Sequence, residues 1–173
     1  MKSQQEFELY KEQGGTVMQL PKEVEKIIND PKTIKALTTV DKDGNPHTVP
    51  LGSMRVIDGN IAFLELLDTC KTQKNMLNCY WFKKDVSILV VDDWQKGNVY
   101  QIKGSPYKLL RQGPIWDNYL EEIWKIIPDA DPTGVWLITP KEVVNQNYFL
   151  RRKAEEERRA NFTRWQTFKG ARK

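Results

Sequence analysis

The sequence predicts a mainly β fold, an antiparallel barrel closed or half closed, with helices at its periphery. Three observations predict it. Extended runs rich in Val, Ile and Thr recur along the chain. Turn signals join them in pairs: Asp43-Gly44 between 34–40 and 46–51, and Asp58-Gly59-Asn60 between 54–57 and 61–66. Runs joined by such tight turns pair antiparallel, and closing the sheet on itself removes exposed edges.

The elements follow in order. Leu20 to Ile28 reads as a short helix, because Pro21 suits a first turn and Val24, Ile27 and Ile28 share a face. Pro31 ends it. The two hairpins come next. Residues 69–78 read as a helix capped by a threonine or by Asp68. Val86 to Val91 is a strand, and Asn98 to Lys103 another, ended by Gly104. Trp116, Leu120, Ile123 and Ile127 are spaced for one face of a helix over 115–127, which makes them a core stripe. Val135 to Ile138 and Val143 to Tyr148 are the last strands, and 149–160 is a charged helix in which Arg and Glu pair four residues apart. That makes six or seven strands with three or four helices, in a single domain over 1–173, with 1–19 loosely held.

Composition bounds the function. The chain has 173 residues and 39% hydrophobic content, enough for one core. No apolar run approaches the roughly 20 residues that span a bilayer, and the first residues carry no apolar signal segment. Cys70 and Cys79 form neither a disulfide framework nor a metal cluster, which suits reduced thiols in a cytoplasm. With one histidine, His47, a histidine metal site or a Ser-His-Asp triad has little to stand on. The net charge of +4 sits in the tail: residues 151–173 carry +6 and the rest −2. A nucleic-acid footprint over the whole surface is therefore not expected.

Two stretches carry chemistry. Pro46-His47-Thr48-Val49-Pro50-Leu51 is a strand interrupted by prolines, which belongs at an edge because proline donates nothing to a ladder. Its main-chain groups are left to meet something other than a strand. Thr69-Cys70-Lys71-Thr72-Gln73-Lys74-Asn75 opens a helix. Free N–H groups, a partial positive charge, threonine hydroxyls and lysines make a phosphate site there. No G-x-G-x-x-G dinucleotide loop is present.

In order and spacing these parts resemble the FMN-binding split β-barrel family related to pyridoxamine 5′-phosphate oxidases. The resemblance rests on Asp41-Lys42-Asp43-Gly44-Asn45-Pro46, Val49-Pro50, Thr69-Cys70-Lys71 and Asn75-Met76-Leu77-Asn78, continues through 86–91 and 99–104, and closes near 135–148. The chain departs from the pattern at Cys79, where proline is usual, and in its charged C-terminus. The resemblance implies a six-stranded, Greek-key-like antiparallel barrel that binds FMN non-covalently at the interface of a homodimer. His47, Thr48, Val49, Pro50 and Leu51 would then line the isoalloxazine edge. Lys71, with Thr69, Thr72 and Lys74, would hold the phosphate. Gln101 would lie near the flavin, contributed by the second subunit.

The expected function is an FMN-dependent oxidoreductase that moves hydride or electrons between a reduced donor and a small-molecule acceptor, with no membrane partner. Haem or a deazaflavin replaces FMN in some such scaffolds. No side chain stands out as an acid or base, and His47 reads as a strand surface residue. The alternative is a non-enzymatic binding protein, for haem or for nucleic acid through the basic tail, the latter marked by a steep salt dependence. Phe162, Trp165 and Phe168 recur every three residues, so the tail is expected to pack on the barrel or across onto a second copy near the flavin cleft.

Overall fold

The computed structural model describes residues 18–93 and 98–158. Among them are seven strands and four helices: α1 (Lys22–Asn29), β1 (Ile34–Val40), β2 (Pro46–Pro50), β3 (Arg55–Ile57), β4 (Asn60–Glu65), α2 (Lys71–Trp81), β5 (Val86–Val91), β6 (Val99–Leu110), α3 (Pro114–Trp124), β7 (Gly134–Asn145) and α4 (Tyr148–Arg158). The strands form one sheet in the order β2-β1-β5-β6-β7-β4-β3, and every neighbouring pair is antiparallel. Phe162, Trp165 and Phe168 lie outside the described residues.

Both hairpin turns use the residues their geometry demands. Gly44 at φ 86° and Gly59 at φ 77° occupy the left-handed region, where a side chain is strained. The Asp41 carboxylate accepts from the N–H groups of Asp43 and Asn45 and so closes the first turn from inside.

The sheet wraps around its main core. Val49 on β2 and Val56 on β3 stand at opposite ends of the strand order, yet both pack on the cluster that holds Leu37, Ile88, Ile102, Ile138, Ile61 and Phe63. Val24 and Ile28 of α1 and Met76 of α2 plug the same core. A second cluster lies on the other side of β4 and β7, where Ala62, Leu64, Val135 and Leu137 meet Tyr119 of α3. All six residues of β4 are buried for this reason, one face against each cluster.

Several elements differ from the sequence reading. β6 runs on through Gly104 to Leu110, and β7 runs unbroken through Pro140. The two strands pair along their length, with register shifts at Lys103/Gly104 and Pro106/Lys108. Gly104 faces Pro140 there. It does not end the strand. A Cβ at Gly104 would lie 2.7 Å from Ile138 Cγ2 and 2.7 Å from Thr139 O, so glycine permits the close approach. α3 ends at Trp124, and its fully buried residue is Tyr119; Ile127 lies past the helix and is exposed. In α4, Arg152 pairs with Glu156 across 2.7 Å, the expected i,i+4 spacing, but no residue of the helix is buried.

Candidate functional site

β2 ends the strand order, so among the described residues one of its edges is unpaired. Its main-chain directions follow from its hydrogen bonds to β1. Leu51 N donates to Lys35 O across 2.9 Å, and Asp41 N donates to Asn45 O across 3.0 Å. Antiparallel bonding alternates between these points, so Val49 and His47 exchange bonds with Leu37 and Thr39. Pro46, Thr48 and Pro50 therefore turn their main-chain groups to the open edge. Proline has no N–H, which leaves Thr48 as the one donor on that edge of β2, among several carbonyls. The two prolines stand where a further strand would seek donors, which blunts the edge against strand addition.

The side chains of β2 alternate across the sheet. His47 and Val49 are half buried, while Thr48 and Pro50 are exposed. Val49 and Leu51 pack against the main core. The Thr48 hydroxyl lies 2.9 Å from that of Thr38 on the outer face. His47 departs from its reading as a surface residue: it faces α2, with Nε2 3.3 Å from Thr72 Oγ1.

α2 brings its first turn against the β1–β2 hairpin. Its cap is neither Asp68 nor a threonine but Cys70, whose Sγ accepts from Gln73 N across 3.3 Å. Burial pushes the Cys70 thiol up, only partly opposed by the Gln73 N–H. Thr69, Lys71 and Lys74 are exposed; Thr72 is buried and its hydroxyl turns to His47. Lys71 Nζ lies 3.6 Å from Asp41 Oδ2 in the hairpin turn. The Asp41 carboxyl is held below the usual carboxylate range, chiefly by the Asn45 N–H, with Lys71 adding to it.

Further along α2, Asn75 Nδ2 donates to Thr39 Oγ1 across 3.0 Å, wholly buried. Thr39 Oγ1 in turn donates to His47 O at 3.4 Å. On the opposite side of α2, Gln73 Oε1 accepts from Trp136 Nε1 across 2.7 Å in the core.

The structure thus brings residues 47–51 and 69–74 together around one corner of the barrel. Gln101 stands elsewhere in the same chain: β6 is three strands from β2, about 14 Å at ordinary strand spacing. Its amide donates to Ser87 Oγ across 2.9 Å and its carbonyl accepts from Gln146 Nε2 across 2.8 Å. Asp41, Thr39 and Asn75 were missed as parts of the corner. Asp41 carried a signal only as a turn former, and Asn75 only as a motif member. Among the described residues no group of three or more His, Cys, Asp or Glu is placed to hold a metal ion, and no helix is long and apolar enough to cross a membrane.

No family model matches the sequence, and no curated protein matches it. Solved structures do. A Lactobacillus delbrueckii protein, provisionally called a pyridoxamine 5′-phosphate oxidase, matches with a TM-score of 0.53 at 22% identity over 73% of this chain and 93% of that one. An FMN-binding protein from Syntrophomonas wolfei matches with a TM-score of 0.51 at 13% identity over 71% and 86%. HutZ, the heme storage protein of Vibrio cholerae, matches with a TM-score of 0.54 at 15% identity over 74% and 95%. The chain has the split β-barrel fold of these proteins.

Proposed function

We propose that the protein is a flavoprotein that holds FMN non-covalently, at an interface between two copies of this chain, and serves as an oxidoreductase for a small-molecule substrate. One main-chain feature carries the reading: the open edge of β2, with the N–H and C=O of Thr48 between two prolines. The pyrimidine edge of an isoalloxazine ring presents carbonyls on either side of an N3–H. The Thr48 N–H can donate to one of those carbonyls while the Thr48 C=O accepts from N3–H, a two-point match, whereas a second strand would need more donors than this edge has. Pro50 continues this edge, whereas Leu51 gives its N–H to Lys35 and its side chain to the core.

The first turn of α2 supplies the other half. Lys71, the Thr69 hydroxyl and Lys74 are exposed beside N–H groups that lie outside the helical ladder, a combination that favours a phosphate dianion. Asp41 holds Lys71 at this corner and would yield it to phosphate. Bound there, FMN supplies hydride and electron transfer at its ring. This chain's residues orient the ring through β2 and anchor the phosphate through α2. One phosphate cradle and no dinucleotide loop favour FMN over FAD. Likeness in fold to an FMN-binding protein supports the same choice.

The dimer is supported by the outer face of the sheet. Ile34, Ala36 and Thr38 on β1, Pro46, Thr48 and Pro50 on β2, and Ser87, Leu89 and Val91 on β5 point to it and are uncharged; the charges next to them, Lys103 on β6 and Glu142 on β7, neutralise each other across 2.8 Å. Ile34 is 65% exposed and Leu89 41%. A face that meets its own copy about a two-fold axis must avoid net charge, because like meets like. A partner's copy of β6 would then also bring Gln101 toward the ring.

Heat release of the bound chromophore followed by chromatography tests the reading. FMN is the expected product. Recovery of FAD or haem, or of no chromophore after reconstitution with FMN, overturns it.

A further inference from the structure

We infer that Thr39 is a positioning residue for FMN, through which Asn75 sets the register between the phosphate corner and the ring-binding edge. The inference rests on the FMN reading of the site and goes beyond its contact residues. α2 meets β1 along one stripe of residues spaced by four. Lys71 reaches Asp41 at 3.6 Å, Asn75 reaches Thr39 at 3.0 Å, and Cys79 Sγ lies 3.9 Å from Val40 O. Four helical residues advance about 6.0 Å, and two strand residues about 6.6–6.8 Å, so Lys71/Asn75 and Asp41/Thr39 nearly match in pitch. The exposed Lys71–Asp41 pair is screened by water and holds this match only weakly, while the buried Gln73–Trp136 bond ties α2 to β7 and not to the hairpin. The Asn75–Thr39 bond is buried and directional, and it fixes the match.

Thr39 also reaches the other half of the site. Its hydroxyl donates to His47 O, on the residue before Thr48. A hydrogen-bonded path therefore runs from the α2 face that carries Lys71, through Asn75 and Thr39, to the strand whose edge would read the ring. FMN spans both parts. Its affinity exceeds that of riboflavin only if the phosphate cradle sits at the right distance from the ring edge. Neither Thr39 nor Asn75 is exposed, so neither touches a ligand.

The test measures FMN and riboflavin affinity by flavin-fluorescence titration in the full chain, with melting temperature alongside. In Thr39→Val the preference for FMN over riboflavin should fall about 5- to 20-fold while riboflavin affinity stays within about 2-fold. Thr39→Ser should restore the preference. Because Thr39→Val leaves Asn75 Nδ2 buried without an acceptor, the double variant Thr39→Val, Asn75→Leu is included; replacing both partners keeps stability near wild type. It should lose the preference as well. An unchanged preference in both valine variants overturns the inference and leaves Thr39 a structural residue. An equal loss for both flavins also overturns it, since the register would then not be what was lost. If the wild-type chain binds neither flavin, the FMN reading itself falls, and the inference with it.

Discussion

The indole Nε1 of Trp136 donates to Oε1 of Gln73 across 2.7 Å in the middle of the core, joining α2 to β7. Both residues are essentially inaccessible to water, so neither polar group has an alternative partner in solvent. Gln73→Leu should therefore cost roughly 1–3 kcal/mol, the desolvation penalty of an orphaned indole N–H. The pair Gln73→Leu, Trp136→Phe should recover part of that loss by removing the orphan, less the cost of the smaller ring. Urea midpoints of the two variants measure it. Equal stability of Gln73→Leu and wild type would show that the bond contributes nothing.

What was legible in the sequence is local. Asp43-Gly44 and Asp58-Gly59 mark both hairpins because each needs positive φ. The order of turns, proline-edged strand and helix start marks the corner where residues 47–51 meet 69–74. What was not legible depends on partners distant in sequence. Gly104 reads as a strand terminator until Pro140 and Ile138 are seen packed against it. A threonine or Asp68 reads as the cap of α2 until the Cys70 sulfur is found in that place. Tyr119 falls between the positions of the apolar stripe that the helical spacing selects, yet it is the residue α3 buries, because its hydroxyl finds the carbonyls of Ser53 and Ala62. Asp41, placed 30 residues before Lys71, meets it only because the hairpin folds back over the helix start.

Lys71→Ala should weaken FMN binding and leave the fold intact. A charged hydrogen bond to phosphate is worth roughly 1.5–3 kcal/mol, so the loss should be about 10- to 150-fold. His47→Ala should change affinity much less, because its ring is turned to Thr72. Fluorescence titration separates the two. Equal affinities for the two variants would remove the phosphate from the α2 corner.

Tyr119 predicts an alkaline limb to stability. Burial pushes its phenol up to about 12 from an ordinary value of 10.0, despite the Arg55 guanidinium 3.8 Å from the ring centre pulling the other way. The native state thus keeps the phenol neutral where the unfolded chain ionises it. The sign follows: stability is fully present below pH 10, falls as pH rises from 10 to 12, and reaches a loss of roughly 2–3 kcal/mol from this group. Tyr119→Phe lacks the hydroxyl and should be less stable at neutral pH, having lost the bonds to Ser53 O and Ala62 O. The gap between the two proteins should narrow between pH 10 and 12. Urea midpoints taken across that range check it, and a constant gap would count against a buried neutral phenol.

Leu89 tests the interface between copies. It projects from β5 onto the outer face, in register with Ala36 on β1 and with Gln101 on β6, one pair along from the Lys103–Glu142 ion pair. Two copies related by a two-fold axis would bury two such side chains, so Leu89→Glu places two carboxylates there beside a lysine, Lys103, that Glu142 already neutralises. The effective penalty of burying unpaired carboxylates is several kcal/mol, which weakens self-association on the order of 100-fold or more. The single chain should fold as before, because Leu89 is exposed within it. Sedimentation should therefore show a dimer for the wild type and a monomer for Leu89→Glu, with an unchanged far-ultraviolet circular dichroism spectrum. Glu121→Lys, an exposed change on α3, should leave the dimer intact. If the flavin lies between copies, the Leu89→Glu monomer should also lose FMN faster on dilution. A Leu89→Glu protein that stays dimeric would move the interface off this face, and a monomer that keeps FMN as tightly as wild type would place the whole flavin site within one chain.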